Sequence, residues 1–376
     1  MAENPRVDLR GLTLPGLEEQ VRAWGLPAYR ARQIFAWVHG RCVTSTGPMT
    51  DISRELREEL AGRVDLTPLA VDAERAAADG TRKLRLRLSD GALVETVLIP
   101  DGDVQSGGVG GGSKKITQCL SSQVGCGLGC RFCATATMGL RRNLSAGEIV
   151  DQVYVLGRSA PARGGASPLP TARALSEPQR VSNLVFMGMG EPLGNLDSVL
   201  AAVEILCTDV GQNFSPRRIT VSTAGVVPGI AELGRRNRHV GLAVSLNATT
   251  DEVRERLMPI NKRWPLPALM EALRRYPLPR RRRITFEYVL IAGLNDTPAD
   301  ARRLVRLLDG IRSKVNLIPY NPVARPFTGR LERPTPDAVD AFAERLREKD
   351  LSTFVRQSRG DDIAAACGQL VTDARG

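Results

Sequence analysis

Cys126-Gly127-Leu128-Gly129-Cys130-Arg131-Phe132-Cys133 carries the strongest pattern in the sequence. Its cysteines follow the spacing C-x3-C-x2-C and come shortly after a predicted strand at residues 116–120. Three thiolates in one short loop can hold three corners of a cubane iron–sulfur cluster and leave one iron open. The alternative is a zinc site, which needs a fourth ligand such as Cys119 or Cys207. The spacing favours iron–sulfur, because structural zinc sites more often use paired C-x2-C hooks.

Downstream of residue 115 the chain alternates between strand and helix patterns. Six predicted strands cover residues 116–120, 183–187, 218–222, 241–246, 284–291 and 314–318. Predicted helices follow or separate them at 146–156, 196–207, 251–257, 299–308 and 336–348. Six β/α units predict an α/β fold whose parallel sheet is open or curled into a partial (β/α)6 barrel. Ligands bind such a sheet at the carboxyl ends of its strands.

Upstream of the cysteines the patterns are different. Residues 1–80 are basic and predict helices at 16–24, 28–38 and 51–60, enough for a small accessory domain. Residues 83–88 and 93–99 alternate in hydropathy around Ser89-Asp90-Gly91, which predicts a β-hairpin.

Two stretches predict loops. The Gly-rich residues 101–113 lack the Gly-Lys-Ser/Thr ending of a phosphate loop and predict a flexible connector. The Pro-, Ala-, Gly- and Ser-rich residues 159–179 predict an exposed loop.

The charge balance favours a polyanionic partner. Lys and Arg number 52 against 41 Asp and Glu, a formal net charge of +11. RNA or DNA is the first expectation, although an anionic membrane surface would also fit. No apolar run approaches the roughly 20 residues that span a bilayer, and the N-terminus has no secretory pattern. We therefore expect a cytoplasmic protein without a membrane segment.

Cysteine and histidine usage narrows the chemistry. Four of the seven cysteines lie between positions 119 and 133, which indicates metal or redox chemistry rather than a disulfide scaffold. Only two histidines, His39 and His239, are present, which argues against catalysis by histidine.

The cysteine motif, with Phe132 before its last cysteine, is similar to the signature of the radical S-adenosylmethionine (SAM) superfamily. Met187-Gly-Met-Gly-Glu-Pro192 resembles the Gly-Glu-Pro motif of that superfamily, where backbone at a strand end meets the SAM amino group. In the superfamily, the open iron of a [4Fe-4S] cluster chelates SAM, and electron transfer yields a 5′-deoxyadenosyl radical. The resemblance implies Cys126, Cys130 and Cys133 as the cluster ligands.

Over almost the whole chain the resemblance sharpens to one family, the dual-specificity RNA adenine-C2 methyltransferases. The matching stretches are 29–35, 95–100, 121–126, 221–225, 316–321, Arg-Gly-Asp-Asp at 359–362 and Ala-Ala-Cys-Gly-Gln-Leu at 365–370. The family methylates C2 of adenosine in large-subunit (23S) ribosomal RNA at the peptidyl-transferase centre and in tRNA next to the anticodon. The resemblance implies both RNAs as partners, the ribosomal RNA free or in early assembly, and an electron donor such as flavodoxin or ferredoxin. We expect a monomer.

On this resemblance the chain divides into four parts. These are a helical RNA-binding accessory domain (1–80), a hairpin and connector (81–115), a radical SAM partial barrel (116–356) and a C-terminal segment with the methyl-accepting cysteine (357–376).

The resemblance also implies roles for two further cysteines and a carboxylate. Adenine C2 is an electron-poor carbon without useful acidity, so ordinary methyl transfer from SAM fails there and radical addition is needed. Cys367 would take a methyl from one SAM and become S-methylcysteine, from which a radical made from a second SAM abstracts hydrogen before addition to C2. Glu95 matches the proton acceptor of the family. Cys119 matches the cysteine that attacks the Cys367 sulfur, frees the product and leaves a transient disulfide.

Composition alone would give a plainer interpretation. Cys367 and Cys119 would be buried core cysteines, and Glu95 an exposed carboxylate on a strand. The basic residues that could contact RNA phosphates, or belong to a solvated surface, are Arg30, Arg32, Arg141, Arg142 and Arg280 to Arg283.

For SAM itself, the resemblance implies seven contacts: Gly190, Glu191, Ser222, Ser245, Leu246, Asn247 and Asn321. The family often has His where Asn247 stands, but Asn still offers a donor and an acceptor. Two alternatives stay open. One is the related adenine-C8 ribosomal RNA methyltransferases, which confer antibiotic resistance, and the other is a zinc-stabilised RNA-binding protein without catalysis.

Overall fold

The structure is a computed structural model that describes residues 6–100, 115–159, 181–323 and 331–372, the side chains of 156–159 excepted. The Gly-rich connector and, apart from its first residue, the predicted loop at 159–179 lie outside the described residues.

The N-terminal part is helical, as predicted. Its elements are β1 (Val7–Asp8), α1 (Leu14–Ala23), α2 (Tyr29–Phe35), α3 (Arg54–Arg63) and β2 (Val64–Asp65), and β1 pairs with β2. Side chains cap α1 and α3, because Thr13 accepts from the Gly16 N–H and Ser53 from the Leu56 N–H.

The next strands form an antiparallel unit: β3 (Ala70–Ala76), β4 (Arg82–Arg87) and β5 (Leu93–Pro100). The predicted hairpin is confirmed as β4 and β5. Strand β3 lies inside the region predicted to be helical, and that part of the prediction is wrong. Its acidic side chains give a weak strand pattern, but Asp72 pairs with Arg85 at 2.6 Å and Glu74 with Arg82 at 2.6 Å across the strands.

The predicted parallel strands are all present. They are β6 (Ile116–Cys119), β9 (Val181–Phe186), β10 (Ile219–Thr223), β11 (Gly241–Ser245), β12 (Ile284–Leu290) and β13 (Ser313–Pro319). A short seventh strand, β14 (Thr353–Val355), extends the parallel set and was not predicted. The ten-stranded sheet has the order β14-β13-β12-β11-β10-β9-β6-β5-β4-β3, so it is mixed and open, with β14 and β3 at its edges.

Helices follow the parallel strands. They are α4 (Ala146–Ser159), α5 (Leu196–Cys207), α6 (Val227–Arg236), α7 (Asp251–Leu257), α8 (Leu266–Arg275), α9 (Pro298–Leu308) and α10 (Pro336–Arg347). The five predicted helices are confirmed, and α6 and α8 are additional. In the part of the chain that is described, no helix is long and apolar enough to span a membrane.

A two-stranded excursion places the cysteine motif. Strands β7 (Gln123–Cys126) and β8 (Gly139–Asn143) pair antiparallel just beyond β6. The loop between them carries the motif to the carboxyl ends of the parallel strands.

Candidate active site

One cavity lies at the carboxyl ends of β9 to β13. Its empty space, including the part open to solvent, is about 940 Å³, within the range of cavities that bind small ligands. The lining includes three features that the sequence analysis singled out: the cysteine motif, the Gly-Glu-Pro turn and Cys367.

Backbone hydrogen bonds hold the cysteine loop, the name used here for residues 126–133. The Cys133 N–H donates to the Cys130 carbonyl at 3.2 Å, and the Arg131 N–H donates to the Leu257 carbonyl of α7 at 2.9 Å. Burial, with Cys133 and Glu191 adding, raises the pKa of Cys126 to about 11. Free thiols here are therefore protonated at neutral pH, and their thiolates need a metal or another cation nearby.

The spacing of the cysteine side chains bears on the kind of metal group. Among the described residues, no three His, Cys, Asp or Glu side chains come close enough to bind a single metal ion. A zinc site needs its ligands around one point, whereas cysteines of a cubane cluster each bind a different iron. Cys207, one of the two possible fourth zinc ligands, lines a separate surface pocket with Leu200 and Arg236. The three cysteines of the motif all line the cavity, an arrangement that fits a cubane cluster with one iron open to a ligand.

The Gly-Glu-Pro turn is built for close approach. Gly190 has φ +98°, and a Cβ there would lie 2.5 Å from the Gln123 Cβ. The Glu191 carboxylate accepts from the Ala224 N–H at 2.8 Å and the Leu193 N–H at 3.0 Å, which ties the end of β9 to the end of β10. Burial raises the pKa of Glu191 to about 7, against these hydrogen bonds.

The other predicted SAM positions differ in how they face the cavity. Ser222 and Ser245 line it at the ends of β10 and β11. Leu246 is fully buried and does not line it. Asn247 lines it with a left-handed backbone (φ +56°), and its Oδ1 accepts from the Val289 N–H at 2.8 Å. Asn321 lines it and donates from Nδ2 to the Cys367 carbonyl at 3.3 Å.

The C-terminal segment lies against the cysteine loop. The Ala134 N–H donates to the Gly368 carbonyl at 2.6 Å, and the Thr135 hydroxyl to the Leu370 carbonyl at 2.6 Å. Cys367 is exposed to solvent through the cavity mouth but lies among protein groups. Burial, with Glu287 adding, raises the pKa of its thiol to about 11. The interpretation of Cys367 as a core residue is wrong.

Cys119 is buried at the end of β6. Burial raises the pKa of its thiol, and the charge of Cys367 raises it further. Cys119 pairs with Val97 of β5, two residues from Glu95, whose carboxylate accepts from the Val371 N–H of the C-terminal segment. The fold thus brings the strand end that carries Cys119 close to the segment that carries Cys367.

Glu95 is buried in β5, so its interpretation as an exposed carboxylate is wrong. Its Oε1 pairs with the Lys83 Nζ at 3.1 Å, and its Oε2 accepts from the Val371 N–H at 3.0 Å. Burial raises the pKa of Glu95, and Lys83 opposes that.

Three buried charged residues at the site were not predicted. Lys83 bonds both Glu95 and, at 2.9 Å, the Ala364 carbonyl of the C-terminal segment. Glu287 lines the cavity and accepts from the Asn316 Nδ2 at 2.9 Å. Arg254 of α7 is fully buried and bonds the Ala224 and Ser245 carbonyls at the ends of β10 and β11. The sequence could have indicated Glu287, because it is a carboxylate within an otherwise apolar strand. The burial of Lys83 and Arg254 depends on long-range contacts, which the sequence does not reveal.

The basic candidates are scattered. Arg280 to Arg283 come directly before β12. They therefore lie at the amino ends of the strands, whereas the cavity lies at the carboxyl ends. Arg142 is held by Asp90 at 2.7 Å and Glu148 at 2.8 Å. The Arg30 guanidinium lies over the exposed Tyr29 ring, 4.9 Å from its centroid.

Comparison with known proteins covers nearly the whole chain. The Radical SAM superfamily model matches residues 120–307, and that of the Ribosomal RNA large subunit methyltransferase N-terminal domain matches 7–66. The dual-specificity RNA methyltransferase RlmN of Geobacter sulfurreducens is 48% identical over 97% of this chain and 92% of its own. The protein of the same name from Syntrophobacter fumaroxidans is 48% identical over 98% of both.

The solved structures include one close relative. The crystal structure of a radical SAM methyltransferase from Sphaerobacter thermophilus matches with a TM-score of 0.83 and 44% identity, over 97% of this chain and 99% of that one.

Proposed function

Because the chain belongs to the RlmN family of dual-specificity RNA methyltransferases, within the radical SAM superfamily, we propose that it methylates C2 of adenosine in RNA. The substrates are large-subunit ribosomal RNA at the peptidyl-transferase centre and tRNA next to the anticodon. The observation that carries the proposal is the single cavity at the strand ends that holds both the cysteine loop and Cys367.

The residues present fit the two cofactors of the superfamily. Cys126, Cys130 and Cys133 would hold a [4Fe-4S] cluster by their thiolates. The residues that would hold SAM are Gly190, Glu191, Ser222, Ser245, Leu246, Asn247 and Asn321. When bound, the two cofactors supply an electron, a methyl group and a carbon radical. Leu246 can contribute only through its backbone region, because its side chain faces the core.

The remaining proposed roles belong to three side chains around the C-terminal segment. Cys367 presents its sulfur to the cavity as the methyl acceptor. Cys119, buried nearby, forms the disulfide with Cys367 that frees the product. Glu95 accepts the proton from the substrate, and its ion pair with Lys83 at 3.1 Å offsets the cost of keeping a buried carboxylate charged.

Further parts of the proposal concern partners and organisation. The net charge of +11 supports RNA as the substrate, with phosphates as the first contacts. The helical residues 1–80 would be the RNA-binding accessory domain, and residues 357–376 the segment that delivers Cys367. An electron donor of the flavodoxin or ferredoxin class would supply electrons to the cluster. We propose a monomer that works in the cytoplasm.

The test is nucleoside mass spectrometry. Reconstituted protein is incubated without oxygen with reductant, methyl-deuterated SAM and protein-free ribosomal RNA or tRNA. Deuterated C2-methyladenosine in both RNAs is expected. Formation of C8-methyladenosine would contradict the proposed position of methylation. Absence of product from iron-loaded protein would contradict the proposed RNA substrates.

A further inference from the structure

Arg254 is a fully buried arginine of α7, the helix whose last residue, Leu257, accepts a hydrogen bond from the cysteine loop. Its guanidinium donates to the Ala224 carbonyl at 2.6 Å, the Leu246 carbonyl at 3.1 Å and the Ser245 carbonyl at 3.4 Å. Another nitrogen donates to the Asn261 Oδ1 at 2.9 Å. These acceptors are all uncharged.

Among the residues that the structure describes, no carboxylate bonds directly to the Arg254 guanidinium, and a buried charge in that position is costly. Charges inside proteins are normally paired, because an unpaired one loses its hydration without a Coulombic return. Asp251 is nearby, but it reaches Arg254 only through Asn261, whose Nδ2 donates to the Asp251 Oδ1 at 2.8 Å. Burial lowers the pKa of Arg254 to about 10, so the group is still charged at neutral pH.

Packing places this charge beside the cysteine loop. The loop is joined to the end of α7 by the Arg131–Leu257 hydrogen bond of 2.9 Å. Cys130 packs in the same apolar cluster as Leu257 and Ala224. The Arg254 guanidinium reaches this cluster through its hydrogen bond to the Ala224 carbonyl, and its charge favours the thiolate form of Cys130.

We propose that Arg254 is the built-in countercharge of the iron–sulfur cluster, so that its missing anionic partner is the cluster itself. This inference rests on the proposed function only in that the three cysteines bind a cluster. Three thiolates make the loaded loop anionic, and reduction by one electron from a low-potential donor adds a further negative charge. A fixed positive charge therefore stabilises the loaded state over the empty one, and the reduced cluster over the oxidised one.

Arg10 provides a matched control. It is also buried and also bonds backbone carbonyls, of Thr67 at 2.9 Å and Leu66 at 2.6 Å. Unlike Arg254, it has a directly bonded carboxylate, because its Nε lies 3.0 Å from an oxygen of Asp151. It belongs to the N-terminal part of the chain, and none of these three partners is a residue of the cysteine loop.

The experiment compares Arg254→Met, Arg254→Lys and Arg10→Met with the unchanged protein. Each is purified without oxygen, its iron is measured, and the cluster is titrated with dithionite under spectroscopic observation. We expect Arg254→Met to shift the reduction potential to a more negative value. At a fixed applied potential, the ratio of reduced to oxidised cluster should fall roughly tenfold, the effect of a unit charge in a partly screened interior. Arg254→Lys keeps the charge and should titrate like the unchanged protein, as should Arg10→Met.

A second readout is the rise in thermal unfolding temperature when the iron-free protein is loaded with cluster. This rise should be smaller in Arg254→Met than in the unchanged protein, and unaltered in Arg10→Met, even though the latter is less stable in both forms. Neither readout needs RNA or methyl transfer.

The outcomes separate this inference from the proposed function. Absence of iron from the unchanged protein would contradict the proposed function. An unchanged potential in iron-loaded Arg254→Met would overturn only the countercharge, and so would an equal shift in Arg254→Met and Arg254→Lys, because that would mean hydrogen bonding. If Arg254→Met holds no iron, Arg254→Lys must still hold it, and loss from both would overturn the assignment.

Discussion

At the scale of single residues, the site consists of groups whose charged forms are disfavoured by burial. Neighbouring charges then either oppose this effect, as Lys83 does for Glu95, or add to it, as Cys367 does for Cys119. Burial raises the pKa of Cys119, Cys367 and Glu95. Each proposed role needs a proton to be lost or taken up, so the neighbours decide the reactivity. Two predictions follow from individual neighbours.

The first concerns the pair of sulfurs. Replacing Cys119 by Ala removes the group proposed to attack the Cys367 sulfur, so RNA should remain attached to the protein. We expect a covalent RNA–protein adduct on denaturing gels as the main product of a single turnover. Cys207→Ala is the control, because this partly buried cysteine lines only a separate pocket. Free methylated RNA from Cys119→Ala at the yield of the control would contradict the role.

The second concerns the ion pair in the antiparallel unit. Lys83→Met leaves Glu95 as a buried carboxyl without its cation, which raises the pKa of Glu95 further and removes a proton acceptor. Methylated RNA should fall at least about tenfold, as for loss of a general base, while methylation of Cys367, followed by intact mass, persists. Arg82→Met is the control on the same strand, since Arg82 pairs with Glu74 at the surface. Equal product from both variants would count against this role of Lys83.

At the scale of elements, the turns after the parallel strands hold the cavity open. Gly190 has a left-handed backbone (φ +98°) and no room for a Cβ beside Gln123. Gly293 also has a left-handed backbone (φ +67°), but nothing lies within 4 Å of a Cβ there. Substitutions at these two glycines therefore separate the cost of a left-handed backbone from the cost of a steric clash of the added Cβ.

Gly190→Ala should lose both stability and SAM binding. The left-handed backbone costs alanine about 1–2 kcal/mol, and displacement of Gln123 adds to that and moves the turn. Gly293→Ala should show only the first cost and bind SAM normally. Denaturant unfolding and equilibrium dialysis with labelled SAM measure the two effects. Equal SAM affinity in both variants would argue against a role of this turn in SAM binding.

Elements with a repeating apolar pattern could be predicted from the sequence, and those made by tertiary pairing could not. The six apolar runs gave the parallel strands, and the cysteine spacing predicted where the site lies. Strand β3 was missed because Asp72 and Glu74 obscure its alternation until Arg85 and Arg82 pair with them. Arg254 was missed because a charged residue on a short helix is usually exposed. Its burial results from contacts with the ends of two strands.

At the scale of the whole molecule, the N-terminal helices and the sheet share one continuous core. His39 lies in the helical turn Ala36–Gly40 that follows α2 and is fully buried. Its Nδ1 is 2.8 Å from the Tyr154 hydroxyl of α4, so this contact joins the N-terminal part to the first helix of the sheet domain. The N-terminal part is therefore held by polar contacts that respond to pH as well as by apolar packing.

Acid should weaken this junction through His39. Burial lowers the pKa of His39 from 6.5 to about 3, so the folded protein holds the ring neutral where the unfolded chain binds a proton. Stability is then fully present above pH 6.5 and is lost as the pH falls towards 3, by about 1 kcal/mol between pH 7.5 and 5.5. Glu191, whose pKa burial raises to about 7, changes the stability in the opposite direction over the same range, so the effect of His39 is measured as a difference between variants. Between these two pH values the iron-loaded protein should lose about 1 kcal/mol more stability than its His39→Gln variant. His239→Gln is the control for the substitution itself, because His239 is exposed. If both variants keep the full pH dependence, another group must be responsible for it.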